Sequence, residues 1–237
     1  MVPEKLIGDF VGRLRDAAGG NLKSVILYGS AAAGEFVPAY SDVNLMCVMG
    51  ETSFAAIEAL GPAVEWWGKQ KHHPPLLMTM EELERGADVF SIEFLDMQQN
   101  YRVLWGSDPL KGLVIPMNLH RAQVEYELRE KTILLRQRLL VVAGDAGAKW
   151  ELLMRSAPAF ATLARHALIA AGEPAGSKRE AVQRLAAKAG FDPGALFQLF
   201  DLREGKADRK SVDVDELFAR YLTAVQKVTA AVDGMPD

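Results

Sequence analysis

The chain has little cysteine and no long apolar run. Cys47 is the single cysteine among 237 residues, so an internal disulfide is excluded and nothing in the composition requires an oxidising compartment. The longest apolar stretches, such as residues 139–143, are much shorter than the roughly 20 residues that a membrane-spanning helix needs. The N-terminal segment includes the acids Glu4 and Asp9 and lacks the apolar centre of a secretory signal. We therefore expect a cytoplasmic protein with no membrane partner.

The chain also lacks a strong excess of charge of either sign. Its formal net charge is −4, and no basic stripe of the kind that forms a nucleic-acid-binding surface is visible along it. A nucleic-acid partner is therefore not expected. Apolar residues make up 49% and charged residues 24%, which is the balance of a folded globular protein and not of a disordered one.

The apolar pattern changes near residues 112–116. Before this point, short β-branched and aromatic runs predict strands, with helices between them. After it, apolar residues recur with helical periodicity through the rest of the chain. We therefore predict an α+β fold, in which a mixed-sheet domain over residues 1–115 precedes an all-α helical bundle over residues 116–237. The predicted strands cover residues 23–28, 43–49, 76–80 and 89–97.

Residues 24–49 form the most informative segment. It leads from a buried strand into Gly29 and Ser30, through a loop of small residues, and into a Ser-Asp pair before the second strand. Glycine allows a sharp turn and a close approach of the backbone to a ligand. Ser30 can cap the following helical turn, and its hydroxyl and the neighbouring N–H groups can bind phosphate oxygens. The segment therefore has the chemistry of a phosphate-binding turn.

The Ser-Asp pair, Ser41 and Asp42, stands at the entry to the second strand. Asp42 and position 44 are two residues apart, so on a strand their side chains point to the same face of the sheet. Two acids at this spacing could bind Mg²⁺ ions that also hold a triphosphate.

This arrangement resembles the signature of the polymerase-β superfamily of nucleotidyltransferases, in which an apolar strand and Gly-Ser precede Asp-apolar-Asp on the next strand. Residues 89–104, with SIEFLDM followed by YRVLWGSDPL, resemble the third-acid strand and the segment after it in small bacterial members, which puts Glu93 at the third metal position. The helical second half is similar to the helical domains of the kanamycin-type enzymes. The resemblance implies a nucleoside triphosphate (NTP) substrate and two Mg²⁺ ions. The implied catalytic and metal-binding positions are Asp42, Asn44 and Glu93, and the implied phosphate-binding positions are Gly29, Ser30 and Ser41.

Two positions depart from the family pattern. Asn44 stands where the family has a second acid, and its carbonyl oxygen brings no charge to a hard cation. Ala33 stands just before Gly34, where many active members carry arginine. Loss of one outer partner typically lowers metal affinity or activity by about 10–100-fold, and loss of a charged ligand should cost at least as much. We therefore expect a site that keeps its shape and binds Mg²⁺ weakly.

Two functions from different classes follow. The first is transfer of a nucleoside monophosphate from an NTP to a hydroxyl of a small molecule or a protein. The second, favoured by Asn44, is a catalytically weak or inactive pseudo-nucleotidyltransferase that binds a nucleotide, or an antitoxin-like protein that binds a partner. The sequence is compatible with a homodimer and identifies neither the acceptor nor the preferred base.

His72 and His73 are a further pair of candidate metal ligands. A Pro-Pro pair follows them, and no acid or cysteine stands at ligand spacing, so we interpret them as part of a surface loop. Trp66 and Trp67 could stack on a base, but one of two adjacent helical tryptophans normally faces the core. Packing is therefore the preferred interpretation of these tryptophans.

Overall fold

The computed structural model describes residues 2–38 and 41–235, and the chain divides into two compact units, Met1–Pro116 and Met117–Asp237. The first unit contains a four-stranded sheet of order β3-β2-β1-β4. β2 pairs with β3 in parallel, while β1 pairs with β2 and with β4 in antiparallel fashion, so the sheet is mixed as predicted. The strands are β1 (Leu22–Tyr28), β2 (Asn44–Met49), β3 (Leu76–Thr79) and β4 (Tyr101–Gly106).

Helices cover both faces of this sheet. Their starts follow ordinary capping chemistry: the Ser53 hydroxyl accepts from the Ala56 N–H, and Thr79 and Glu82 form a capping box at the end of β3. The helices of the first unit are α1 (Glu4–Ala18), α2 (Ser30–Ala33), α3 (Phe54–Ala59), α4 (Gly61–Lys69), α5 (Met80–Arg85) and α6 (Ser91–Gln99).

Alternate residues of the two central strands enter two different cores. One core lies on the side of α1 and α4, where the fully buried rings of Phe10 and Trp67 stack with centroids 4.4 Å apart. The other core lies on the side of α5 and α6 and includes Leu83 and Phe94. The buried residues of β1 and β2 in the first core are Leu22, Val25, Leu27, Leu45, Cys47 and Met49, and those in the second are Ile26, Met46 and Val48.

The strand predicted over residues 89–97 is wrong. The chain forms α6 over Ser91–Gln99, and the third strand of the central antiparallel set is β4, Tyr101–Gly106. The physical reason is composition. Apart from Ile92, residues 92–99 carry no β-branched side chain, and glutamate, leucine, methionine and glutamine, which favour helices, make up most of this stretch. Ser91, Phe94 and Met97 are buried at a spacing of three, as one face of a helix requires.

The second unit is built from helices throughout its described residues. Its helices are α7 (His120–Val142), α8 (Ala146–Ala170), α9 (Lys178–Ala189), α10 (Gly194–Arg203) and α11 (Val214–Asp233). At its centre, the fully buried Tyr221 meets Phe160 edge-on, and its hydroxyl donates to Oγ of Ser156 at 3.0 Å. None of the helices in the described part of the chain is long and apolar enough to span a bilayer.

Candidate functional site

The turn after β1 has the shape that the sequence predicts. Gly29 adopts φ 73° and ψ −152°, a backbone conformation that is almost restricted to glycine. Its carbonyl oxygen accepts from the N–H groups of Ala32 and Ala33. Ser30 begins the single helical turn α2, which ends at Gly34 in a left-handed conformation. The turn is thus fixed from both ends by glycine.

Ser30 does not cap this turn, contrary to our expectation. The cap position is taken by Gly29, and Ser30 is the first helical residue, with no side-chain capping bond. The first N–H groups of a helix have no intrahelical partner. Those of Ser30 and Ala31 are therefore the backbone donors of this turn, and the Ser30 hydroxyl lies beside them.

Asn44 lies directly against the glycine turn. A Cβ built on Gly29 would stand 3.1 Å from Nδ2 of Asn44. Asn44 begins β2 and pairs in register with Tyr28, the last residue of β1, which in turn pairs with Tyr101 of β4. By strand alternation, Tyr28 and Asn44 belong to the face that α5 and α6 cover. Asn44, which stands where the signature that the segment resembles has a second acid, therefore lies at the turn itself.

Asp42 lies two residues before the start of β2. The argument that its side chain shares a face with position 44 requires Asp42 to be on the strand, and it is not. Its side chain is 62% exposed. Ser41, beside it, closes the preceding loop: its hydroxyl oxygen accepts from the Val37 N–H at 3.0 Å, and its own N–H donates to the Val37 carbonyl at 2.8 Å. These two hydrogen bonds between Ser41 and Val37 fix the backbone immediately before Asp42.

Glu93 reaches the same end of the sheet from a helix and not from a strand, which corrects the position that the resemblance implied for it. It lies in the first turn of α6. Burial raises the pKa of Tyr28 above its ordinary value of 10.0, and the negative charge of Glu93 raises it further. The charge of Glu93 therefore acts on the side chain of Tyr28, the last residue of β1.

His73, which the sequence analysis assigns to a surface loop, lies next to Asp42. Its Nε2 lies 3.7 Å from Oδ1 of Asp42. The neighbouring His72 ring stacks on Trp67 with centroids 4.2 Å apart. Burial lowers the pKa of His72, an effect that the charge of Asp42 opposes and that His73 reinforces. The loop is exposed, as expected, but it is not remote from the predicted site.

The parallel pairing of β2 and β3 explains this contact. Met46 pairs with Leu76 in that ladder, so the segments that precede the two strands lie side by side. Asp42 is four residues before Met46, and His73 is three residues before Leu76. Sequence spacing could not reveal this neighbour, because the pairing of two strands so far apart along the chain is not a local property.

The donor groups near the turn do not match a pair of Mg²⁺ ions. Within the ranges that the structure describes, no three His, Cys, Asp or Glu side chains are grouped so as to hold a metal ion. Mg²⁺ prefers anionic oxygen and near-octahedral geometry. Here Asp42 and Glu93 are the two acids, Asn44 is a neutral amide, and the imidazole of His73 lies 3.7 Å from Asp42. The residues present therefore do not fit the two-Mg²⁺ site that the resemblance implied.

Comparisons with known proteins support the fold. No protein-family model matches the chain, and no curated protein matches it. Among solved structures, the chain is similar to the spectinomycin adenyltransferase AAD(9) from Enterococcus faecialis, crystallised with ATP and spectinomycin, with a TM-score of 0.60. The match covers 97% of this chain and 99% of that chain at 13% sequence identity. At this identity the likeness shows the fold alone, and it confirms the predicted fold class: an α+β part with a mixed sheet, followed by a helical region.

Proposed function

We propose that this protein binds a nucleoside triphosphate at the Gly29–Ser30 turn and transfers the nucleoside monophosphate to a hydroxyl of a small molecule. The observation that carries the proposal is one juxtaposition: a glycine-only turn at the end of β1 lies against Asn44 at the start of β2, with Asp42 two residues earlier. It occurs in a chain that shares its fold, over nearly its whole length, with an adenyltransferase crystallised with ATP.

The turn supplies donors for phosphate. The N–H groups of Ser30 and Ala31 and the Ser30 hydroxyl stand together at the start of α2, and Gly29 has no side chain to hinder a close approach. Backbone donors of this kind stabilise charge on phosphate oxygens without any rearrangement during the reaction. The Asn44 amide, 3.1 Å from the Cβ position of Gly29, offers a further donor at the same place.

The acidic side chains can take the proton from the acceptor hydroxyl. The acceptor hydroxyl forms a bond to the α-phosphorus of the NTP while the bond to the β-phosphate breaks and pyrophosphate leaves. The hydroxyl loses its proton in this attack, and a carboxylate within hydrogen-bond reach can accept that proton. Glu93 acts electrostatically at the end of β1, and Asp42 is exposed at the entry to β2. We assign the proton acceptor to Glu93, because its negative charge acts on the side chain of Tyr28, the residue that precedes Gly29.

A small-molecule acceptor is preferred over a protein side chain. The similar solved structure is of an adenyltransferase crystallised with ATP and spectinomycin, and the match covers 97% of the present chain. We therefore take spectinomycin and other hydroxylated small molecules as the first acceptors to examine.

Transfer of label from NTPs labelled on the α-phosphate tests this proposal. Each of the four NTPs is incubated with the protein, a panel of hydroxylated small molecules and a panel of divalent ions, and labelled products are separated. We expect a labelled adduct with at least one NTP and one acceptor, and its loss in Ser30→Pro, which removes a donor N–H, and in Glu93→Gln. Ala32→Ser, on the same turn, is the matched control. Absence of any adduct under all ions would reject transfer.

Asn44 favours a second candidate, a nucleotide-binding protein without turnover. A neutral amide replaces the second acid beside the turn, so the site has less negative charge with which to hold cations during catalysis. Nucleotide binding can survive this loss because the phosphates bring ligands of their own. Binding of an NTP in the absence of any transfer, with transfer gained in Asn44→Asp, would identify this second function.

A further inference from the structure

Helix α7 carries apolar side chains on two opposite faces. Its inner face, which includes Val124, Leu128 and Leu135, is buried in the helical unit. Its outer face runs over residues 126–141 and is exposed. An ordinary surface helix is polar on the side away from its core, so the packing of this unit does not account for a second apolar face. The large apolar side chains of the outer face are Tyr126, Ile133, Leu134, Leu140 and Val141, of which Leu140 and Val141 are 79% and 85% exposed.

The outer face has the spacing of a contact between two helices. Ile133 follows Tyr126 by seven residues, and Leu140 follows Ile133 by seven. This repeat keeps apolar side chains in one line along a helix. Leu134 and Val141 stand beside that line, each one residue further along the chain. Single exposed apolar side chains are normal on a protein surface, whereas a continuous apolar stripe marks a site of interaction.

The outer face is self-complementary about its midpoint, which lies between Ile133 and Leu134. Tyr126 lies as far before this midpoint as Val141 lies after it. Two copies of α7 that pack antiparallel about a two-fold axis at the midpoint therefore bring Tyr126 of each copy against Val141 of the other. A two-fold interface requires this relation, because residue i must contact residue j wherever residue j contacts residue i.

The polar residues within the outer face select the antiparallel arrangement. Glu130 and Gln137 both lie in the stripe, on either side of the midpoint. In an antiparallel pair, Glu130 faces Gln137 of the second copy, whose amide can donate to the carboxylate, and the guanidinium of Arg138 lies on the same side. In a parallel pair, Glu130 would instead face Glu130, and like charges repel.

Ion pairs within α7 leave the charge of Glu130 to a partner. Arg129 pairs with Glu125 and Lys131 pairs with Glu127, each with the acid four residues earlier. Glu130 lies between these pairs and is exposed. It takes part in none of the ion pairs within residues 2–38 and 41–235. The acid at the centre of the outer face is therefore available to the amide and the guanidinium of a second copy.

We infer that the outer face of α7 packs antiparallel against the same face of a second copy and forms a two-fold homodimer. The face spans about 23 Å of helix. One helix pair of this length buries less than the roughly 800 Å² per partner of a standard stable interface. The dimer should therefore dissociate at micromolar concentration. The inference concerns α7 alone and depends neither on nucleotide binding nor on transfer.

Sedimentation velocity of the full chain between about 1 and 500 µM measures this association. We expect a monomer at the low end and a dimer at the high end. Ile133→Asp places an unpaired charge at the centre of the contact and should raise the dissociation constant by at least about 10-fold. Phe54→Asp changes an apolar side chain of α3 that is 81% exposed. It is the matched control and should associate as the parent does. Far-UV circular dichroism confirms that each variant is folded.

Exchange of charge tests the antiparallel arrangement. Glu130→Lys should weaken the dimer because the new cation faces Arg138 of the second copy, and Gln137→Glu should weaken it because the new acid faces Glu130. The two changes in one chain should restore association, since the lysine then faces the glutamate. In a parallel pair, positions 130 and 137 would not face each other, and the double variant would not recover.

Engineered disulfides give a second readout of the arrangement. Ile133→Cys should link to its own copy under mild oxidation, whereas Val141→Cys, about 23 Å from its own copy, should not. The native Cys47 is buried and does not interfere. Equal linking at both positions would overturn the inference, and so would a dimer that Ile133→Asp leaves unaltered. A parent chain that stays monomeric throughout, or that binds phosphatidylglycerol vesicles as a monomer, would also overturn it, since the face would then meet a different partner.

Discussion

At the scale of single residues, the candidate site differs from the nucleotidyltransferase signature that it resembles by a change of donor atoms. Asn44 removes one negative charge beside the Gly29 turn, and His73 adds an imidazole beside Asp42. The first difference could be predicted from the sequence, because position 44 follows Asp42 at a fixed spacing. The second could not, since His73 approaches Asp42 only through the parallel pairing of β2 and β3.

The Gly29 turn gives a prediction about stability. Gly29→Ala should lower the free energy of unfolding by about 1–3 kcal/mol, because the conformation at φ 73° and ψ −152° is unfavourable for alanine. The new Cβ would also lie 3.1 Å from Nδ2 of Asn44. Urea denaturation measures the change.

Gly34→Ala is the matched control for this substitution. Gly34 also has a positive φ, 76°, but an added Cβ would meet no atom within 4 Å. Gly34→Ala should therefore lower the free energy of unfolding less than Gly29→Ala does. When Asn44→Ala is added, it should recover part of the stability lost through Gly29→Ala and none of that lost through Gly34→Ala. Equal costs at the two glycines, with no recovery, would show that Gly29 and Asn44 are not in contact.

The single thiol gives a prediction about reactivity. Cys47 is fully buried at the centre of β2, and burial raises the pKa of its thiol to about 12. Because the thiolate is the reactive species, native protein at pH 8 should resist a thiol reagent that modifies the chain readily in urea. Cys47→Ala, which should give no signal in urea, is the control. Stoichiometric labelling of native protein at the rate of the unfolded chain would contradict the packing around β2.

At the scale of elements, the sequence predicts the strongly periodic helices and three of the strands, but not the helix over residues 91–99. The helices of the second half follow from sustained helical spacing, and β1 and β2 follow from compact β-branched and apolar runs. Residues 89–97 are as rich in apolar side chains as a strand. They form α6 because most of their side chains favour helices, and because Phe94 and Met97 lie on the same buried face of a helix. Glu93 consequently reaches the site from a helix.

Helix α8 gives a prediction about Pro158 and about the side chain that donates a hydrogen bond in place of its missing N–H. Pro158 lies inside the helix and has no N–H to give to the carbonyl of Met154, four residues earlier. The Arg203 guanidinium, from α10, donates to that carbonyl instead. Arg203→Met should therefore lower the free energy of unfolding by about 1–3 kcal/mol, since it leaves a buried carbonyl without its donor.

A double-mutant cycle isolates this effect. Pro158→Ala restores an N–H for Met154, so Arg203→Met should cost less in that background than in the parent, as measured by urea denaturation. If Arg203→Met costs the same in both backgrounds, the guanidinium stabilises the protein by some other contact.

At the scale of the whole molecule, the chain consists of two units with separate cores. The sheet unit holds its apolar side chains on two faces of β1 and β2, and the helical unit packs around Tyr221. Each has more than 100 residues, a size at which a single core normally supports independent folding.

We propose that these units are separate domains. Residues 1–116 and 117–237, expressed as separate chains, should each unfold cooperatively on heating, and their summed far-UV circular dichroism should reproduce that of the full chain. A fragment that lacks a cooperative transition would show that its core depends on the other unit.

The central claim is that the Gly29–Ser30 turn and Asp42 form a working nucleotide site. Calorimetric titration of ATP with Mg²⁺, with pyrophosphate release followed alongside, tests it most directly in the parent, Asp42→Ala and Asn44→Asp proteins. We predict that the parent binds ATP, that Asp42→Ala binds it more weakly, and that turnover with Mg²⁺ is low in the parent and higher in Asn44→Asp. Absence of ATP binding by all three proteins would contradict the account, since the fold would then be used for something other than nucleotides.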